Sequence, residues 1–228
     1  MELSEARGVL AEVAQVLPRA RWELSRMRLD VLDAEARLRS LGSHGPQRPP
    51  GADSVTRGQA LRGVVISCRS AAAAGGRVER RLAEAVAGIR AAGVLVDGLA
   101  PVDTQGELDQ IRVRRQLSTL RTDLQATRAL LGETTRALGE VADQTRRVSP
   151  SGALPGEDVP VRRLTGGVLT AQEQTRSADQ ELDRAQVLTD RLACGVDTLA
   201  QAARERMRAH RDRDHSHSPL APSPGVPR

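Results

Sequence analysis

The histidines near the C terminus have the residue types and spacing that best suit metal binding. His210, His215 and His217 alternate with Asp212 and Asp214, and imidazole and carboxylate groups are common ligands of transition metals. The surrounding segment is rich in Arg, Ser and Pro, however, which is typical of disordered chains. A disordered chain fixes neither the ligand geometry nor the hydrogen bonds that orient the ligands. We therefore expect a disordered, basic and proline-rich tail over residues 207–228, and no metal site.

Two cysteines and two glycine pairs are the other candidates for chemistry. Cys68 and Cys194 lie far apart in the chain and match no metal or redox spacing, so we expect two free thiols in a reducing cytoplasm. The pairs Gly75–Gly76 and Gly166–Gly167 fall inside helical patterns, whereas phosphate-binding glycine loops follow a strand. We expect these pairs to permit close approach or local bending of helices.

Sequence motifs of common enzyme sites are missing from the chain. It contains no P-loop, no dinucleotide-binding glycine pattern after a strand, no nucleophile elbow and no HExxH motif. Its carboxylates are scattered, and thin helical rods rarely enclose a pocket. We therefore predict a non-enzymatic protein with no catalytic residue and no cofactor.

The composition narrows the class of fold. The chain has no Phe, no Tyr and one Trp, and its 34 basic residues are all Arg. Residues with A- and T-rich codons are scarce, which indicates a GC-rich genome such as that of an actinobacterium. With neither aromatic residues nor β-branched runs, a sheet-based core is not expected. A stacking surface for single-stranded nucleic acid is not expected either.

Apolar residues recur at alternating spacings of three and four in four long segments, which is the heptad pattern of helices that pack lengthwise. The first seam is Leu10, Val13, Leu17, Ala20, Leu24, Met27, Val31, Ala34, Leu38 and Leu41. The second is Leu61, Val64, Cys68, Ala71, Gly75, Val78, Leu82, Ala85, Ile89, Ala92, Val96 and Leu99. The third is Val113, Leu117, Leu120, Leu124, Thr127, Leu131, Thr134, Leu138, Val141, Thr145 and Val148. The fourth is Val161, Leu164, Val168, Ala171, Thr175, Ala178, Leu182, Ala185, Thr189, Leu192, Val196 and Leu199.

Segments rich in Pro and Gly separate these patterns. GSHGPQRPPGAD (42–53) and SPSGALPGED (149–158) are incompatible with a helix. Gly98 and Pro101 end the second pattern, and a capping box of Thr104 and Glu107 starts the third. We expect helices over about residues 4–41, 54–99, 105–148 and 159–206. They form two hairpins, residues 1–100 and residues 101–206.

The two hairpins resemble each other in sequence. The shift that places Leu10 on Leu117 also places Val13 on Leu120 and Arg21 on Arg128, and PGAD at 50–53 recurs as PGED at 155–158. Such self-similarity indicates an internal duplication. Independent convergence of two heptad patterns is the alternative.

The fold class predicted is all-α, with two long antiparallel helical hairpins. They form either one elongated four-helix bundle or two coiled-coil hairpins placed end to end. Threonines weaken the seam of the second hairpin because they contribute less apolar burial than Leu. We expect that half to be looser and to contact a partner or a second copy through four of its threonines, Thr127, Thr134, Thr175 and Thr189.

Pro18 and Trp22 interrupt the regular pattern of the first helix. Proline removes a hydrogen bond to the carbonyl of Ala14, so a kink is expected there. One hypothesis is that the kink turns Trp22 inward or that arginine stems such as that of Arg26 cover it. The other is that Trp22 is an exposed anchor for a helix of another protein, because Trp is enriched among interface hot spots.

Arginines on the second helix suggest an alternative partner. They are Arg57, Arg62, Arg69, Arg77, Arg80 and Arg81. Together with the basic tail, they could bind nucleic acid weakly and in a salt-dependent way. Charges of both signs alternate along every predicted helix, however, which is typical of a solvated helix surface.

Long helical hairpins rich in Ala, Arg and Thr resemble uncharacterised coiled-coil proteins of actinobacteria. More distantly, they are similar to the WXG100-type hairpins of type VII secretion. Here Trp22 is followed by Glu23 and Leu24, with no glycine two places on, and the chain has no Tyr for that family's C-terminal export signal. The resemblance therefore implies a hairpin that binds other helices.

The function predicted from these patterns is a cytoplasmic scaffold or adaptor that binds itself or another helical protein. The first 13 residues do not resemble a signal peptide, and nowhere do about 18 apolar residues run together, so no membrane span is expected. The alternatives are a nucleic-acid-associated helical protein and an adaptor linked to a secretion or toxin system.

Overall fold

The computed structural model describes residues 2–42, 52–99, 104–148 and 158–216. Four helices make up nearly all of this part of the chain: α1 (Glu2–Gly42), α2 (Ala52–Asp97), α3 (Thr104–Val148) and α4 (Asp158–Ser216). The described residues contain no strand, which confirms the all-α prediction. The end residues of the predicted Pro/Gly loops, Gly42, Ala52, Asp53 and Asp158, belong to helices. The rest of those loops, residues 43–51 and 149–157, and residues 217–228 of the predicted tail lie outside the described residues. Helix α4 extends beyond its expected end near residue 206.

The helices form one four-helix bundle. Helix α1 packs against α2 and α4, and α3 packs against the same two helices. In the described residues, no Cα atom of α1 lies within 8 Å of one in α3, and the same holds for α2 and α4. Contacts between neighbours run in opposite directions along the chain, as in the ion pairs of Arg7 with Asp197 and of Arg21 with Asp183. The two hairpins therefore lie side by side in an up-down-up-down bundle, not end to end.

The core of the bundle consists of the four predicted seams. The seam residues are buried in all four helices, and the half-buried ones lie near the helix ends, as Leu41, Leu99, Val161 and Leu199 do. A single apolar cluster contains residues of all four helices. Each hairpin thus covers the exposed seam of the other, because an amphipathic helix is stabilised chiefly by burying its apolar stripe.

Small residues bring the helices close together at two predicted positions. A Cβ atom added to Gly75 would overlap the Thr135 hydroxyl of α3 and would approach Met27 of α1 to 3.3 Å. A Cβ atom added to Gly167 would lie 2.9 Å from Val141 of α3. Gly76 and Gly166 face open space. Within the two pairs, close approach therefore occurs at Gly75 and at Gly167.

The arrangement of the helices agrees with the internal similarity of the hairpins. Helices α1 and α3 occupy one diagonal of the bundle, and α2 and α4 occupy the other. A hairpin that packs on a copy of itself about an axis along the bundle produces this arrangement. The duplication itself remains a prediction.

Candidate protein-interaction surface

The described residues contain no group of three or more His, Cys, Asp or Glu side chains that could hold a metal ion. The side chains of His210 and His215, and all of His217, lie outside the described part of the chain. No described helix is both long enough and apolar enough to cross a membrane.

The two thiols lie in different environments. Cys68 is buried in the core and Cys194 is exposed on α4. Burial away from water raises the pKa of the Cys68 thiol to about 12, because an apolar environment disfavours the thiolate. Cys68 therefore acts as a small apolar core residue, as its seam position predicted.

Trp22 lies on the solvent side of α1. Its side chain is 58% exposed, and the guanidinium carbon of Arg26, one turn further along, lies 5.0 Å from the ring centroid. This geometry is a cation–π contact, which adds modest stability at an exposed site. Helix α1 continues through Pro18 without a break, and Trp22 does not turn inward. Arg26 covers part of one ring face, as one of the two hypotheses allowed, and more than half of the side chain remains accessible.

Trp22 belongs to a second apolar stripe on α1 that the sequence analysis did not identify. Leu29 is 67% exposed and Leu32 is 40% exposed. Together with Trp22 they follow the three–four spacing of a packing seam, but on the side of α1 opposite its core seam. The full set, which we call the outer stripe, is Pro18, Trp22, Ser25, Leu29, Leu32 and Ala36. The signal was present in the sequence as a second, shorter heptad series, whose members follow residues of the core seam by one and two positions in turn.

Polar contacts on both flanks of α1 hold the outer stripe toward solvent. On one flank, Arg21 and Arg28 both pair with Asp179 of α4, at 3.5 Å and 3.1 Å. On the other flank, Glu23 pairs with Arg77 of α2 at 2.9 Å. Because both flanks are fixed to neighbouring helices, α1 cannot rotate to bury the outer stripe without breaking these ion pairs.

A further carboxylate on the α2 flank, that of Asp33, is half-buried and held by two hydrogen bonds. Asp33 accepts hydrogen bonds from Arg37 at 2.8 Å and from the Ser67 hydroxyl at 2.5 Å. These bonds to the ionised form lower the pKa of Asp33 below its usual value, with the Arg37 bond as the largest cause. Asp33 therefore carries a negative charge beside the outer stripe at all physiological pH values.

The threonines expected to contact a partner lie inside the bundle. Thr127, Thr134, Thr175 and Thr189 are at most 3% exposed, and each hydroxyl bonds a carbonyl of its own helix. The core faces of α1 and α2 cover the seam of α3 and α4 on which these threonines lie. The four threonines are therefore not part of the surface, which corrects the expectation that they contact a partner there.

The middle of the bundle is polar for a core. The Thr134 hydroxyl lies 2.8 Å from the Leu130 carbonyl and 2.9 Å from the side-chain oxygen of Gln174 on α4. The neighbouring Thr135 hydroxyl is buried beside Gly75 without a hydrogen-bond partner among the described groups. A buried polar contact of this kind favours one register of helix pairing over others.

Three of the six α2 arginines of the nucleic-acid alternative form ion pairs with described acidic residues of the protein. Arg69 pairs with Asp143 at 3.5 Å, Arg77 with Glu23 at 2.9 Å and Arg81 with Glu84 at 3.1 Å. Arg62 and Arg80 are exposed and Arg57 is half-buried. The surface of α2 therefore carries mixed charge and not an uninterrupted positive track.

A shallow groove of about 480 Å³ between α2 and α3 is the other notable surface feature. Apolar residues Ile89, Val94 and Leu117 line it together with Arg90 and Arg121. The ion pair of Asp97 with Arg114 lies at its edge. The groove is partly open to solvent, unlike the enclosed pockets that bind small molecules.

No protein-family model, curated protein sequence or solved structure shows a significant match to this chain. The functional interpretation therefore depends on the geometry of the bundle alone.

Proposed function

We propose that this protein is a non-enzymatic cytoplasmic scaffold or adaptor that binds a helix along the outer stripe of α1. The observation that carries the proposal is the exposure of Trp22, Leu29 and Leu32 in one row on a helix whose opposite row already fills the core. A helix with two apolar rows has more packing surface than its own bundle uses.

The physical chemistry of the outer stripe suits a partner helix. Exposed apolar side chains that cluster mark interaction sites, whereas single ones are ordinary. An amphipathic partner helix presents anchors at spacings of three, four and seven, and Trp22 and Leu29 are seven residues apart. Trp22 supplies the large, rigid side chain that dominates the energy of many interfaces.

The experiment that tests this function is site-specific photo-cross-linking in the native host. A photoreactive amino acid replaces Leu29 in the full chain, and a matched control places it at Leu108, which is 56% exposed on the diagonally opposite helix α3. We expect the probe at position 29 to give covalent adducts of a defined mass and the probe at position 108 to give none. The adducts at position 29 should disappear when Trp22→Ala is added to the same chain.

Equal cross-linking from the two positions, or adducts at Leu29 that persist in the Trp22→Ala chain, would contradict the proposed function. Circular dichroism on the same variants confirms that each has the helicity of the wild type, since Trp22 and Leu29 contribute little to the core.

A further inference from the structure

We propose that the occupant of the outer stripe is a second copy of this chain, bound antiparallel so that α1 packs on α1 about a two-fold axis at Leu29. This proposal rests on the proposed function and names its partner. A two-fold interface uses the same surface on both copies, so the outer stripe must be complementary to itself.

The spacing of the outer stripe supports lengthwise helix pairing. From Pro18 to Ala36 the steps are four, three, four, three and four residues, which keep one face aligned with a partner helix. The row is about 27 Å long at 1.5 Å per residue. Its large members lie near the middle and its small members, Pro18 and Ala36, lie at the ends.

The charges beside the outer stripe are divided at Leu29. On the N-terminal side, residues 19–28 contain Arg19, Arg21, Arg26 and Arg28 against Glu23 alone. On the C-terminal side, residues 30–39 contain Asp30, Asp33 and Glu35 against Arg37 and Arg39, so the net charge changes sign at Leu29. Arg19 and Arg26 are exposed and Asp33 is half-buried on the same flank of α1.

An antiparallel pair places opposite charges and complementary sizes together. With Leu29 on the partner's Leu29, Trp22 lies against the partner's Ala36, and Arg26 lies opposite the partner's Asp33. A large side chain then meets a small one at both ends of the row. A parallel pair would instead bring Arg26 near the partner's Arg21 on the opposite flank of α1, and like charges close together are unfavourable.

The first test is the mass of the full chain in solution, measured by sedimentation equilibrium between about 1 and 100 µM. We expect a monomer–dimer equilibrium in this range. Trp22→Ala removes two anchors from a two-fold interface, so its dimer dissociation constant should rise at least about 100-fold. The control, Leu108→Ala on α3, should leave the constant unchanged. A monomer at all concentrations overturns the proposal, and so does a dimer that Trp22→Ala does not weaken.

The second test exchanges charges between copies. Arg26→Asp and Asp33→Arg should each weaken self-association. The contact between position 26 of one copy and position 33 of the other occurs twice in the dimer, and each variant places like charges at both contacts. Mixing the two variants should restore a mixed dimer, in which every such contact again has opposite signs. Single variants that associate as tightly as the wild type overturn the antiparallel register. Thermal unfolding of each variant checks that Asp33→Arg, which loses its contacts with Arg37 and Ser67, still folds.

The third test measures orientation from Cys194, whose thiol is exposed while Cys68 is buried. Cys194 lies one turn before Asp197, which pairs with Arg7, and is therefore level with the N-terminal part of α1 near Leu10. In the antiparallel dimer, spin labels on the two Cys194 residues lie about 55 Å apart along the helices. In a parallel dimer they lie at the same level, about 30 Å apart or less, a result that overturns the proposal.

These results separate the two proposals. The full chain could be monomeric while Leu29 cross-links to a different protein in a manner that depends on Trp22. In that case the outer stripe binds helices, as the proposed function states, and the proposal that a second copy of this chain binds there is wrong. If the full chain is monomeric and Leu29 gives no such adduct, both proposals fail.

Discussion

At the residue scale, the solvent face of Trp22 and the buried thiol of Cys68 show how position on a helix sets what a side chain does. Both occur on amphipathic helices with a regular apolar seam, but Cys68 lies on the seam of α2 and Trp22 lies on the opposite side of α1. Cys68 therefore contributes packing, and Trp22 contributes accessible surface. Arg26 stabilises Trp22 through its guanidinium group without removing it from solvent.

The difference between the two thiols gives a test at this scale. Ellman's reagent should react with one thiol per folded chain, at Cys194, and Cys194→Ser should abolish that reaction at pH 8. Because burial raises the pKa of Cys68 to about 12, the neutral thiol is favoured in the folded state. Its contribution to stability is complete below the unfolded-state pKa and is lost as pH rises from about 8.5 toward 12.

Cys68→Ala removes this group and provides the control. The wild type should lose more of its free energy of unfolding than Cys68→Ala does between pH 8 and pH 10.5. Rapid labelling of two thiols in the native chain at pH 8 would show that the core opens around Cys68, contrary to the closed bundle.

At the element scale, α2 approaches its neighbours closely because it presents small residues where α1 and α3 present larger ones. Gly75 is the tightest position, since it lies against both Met27 and Thr135. Helices α3 and α4 are joined by the polar contact of Thr134 with Gln174, so this pair gains less from apolar burial. The hairpin α1–α2 is expected to be the more stable half.

Alanine substitutions at the adjacent glycines test the close approach. Gly75→Ala should lower the free energy of unfolding by about 1–2 kcal/mol, because overpacking outweighs the gain in helix propensity. Urea unfolding followed by circular dichroism measures the change.

Two companion variants make that result specific. Gly76→Ala, which faces open space, should raise the free energy of unfolding by up to about 1 kcal/mol. Thr135→Ala combined with Gly75→Ala should recover most of the loss. If Gly75→Ala and Gly76→Ala are equally stabilising, the helices are further apart than the bundle requires.

At the scale of the whole molecule, two hairpins share one core, and each covers the apolar seam of the other. The described surface that remains is mixed in charge, and along α1 it also carries the apolar outer stripe. The scaffold function that we propose would use this one face of α1 and leave the shared core unchanged.

Separation of the hairpins tests the shared core. The chain of residues 1–100 carrying Trp22→Ala should associate through its exposed core seam, so light scattering should give the mass of two hairpins. The full chain with Trp22→Ala, in which the second hairpin covers that seam, should remain monomeric at the same concentration. A monomeric, fully helical fragment of residues 1–100 would show that the hairpins do not depend on each other.

The sequence by itself determined the four helices and the face that each one buries. Periodicity is a local property, so the spacing from Leu10 to Leu38 or from Leu61 to Val96 specifies an apolar stripe before any partner is known. The pairs Gly75–Gly76 and Gly166–Gly167 were also identified as positions of close approach or bending, and the structure shows close approach at Gly75 and Gly167.

Only the tertiary structure decided which helices pack together through their apolar stripes. The heptad pattern predicts that one face of each helix is buried but does not indicate which other helix packs on it. Hairpins placed side by side and hairpins placed end to end were therefore equally consistent with the pattern. Thr127 and Thr175 were therefore expected at the surface, although the opposite hairpin buries them. Likewise, α1 carries two apolar series, and only packing shows that the one containing Leu10 is filled while the one containing Trp22 and Leu29 faces water. Whether a side chain is buried depends on both helices that meet at a contact. The sequence of a single helix specifies only its own side of that contact.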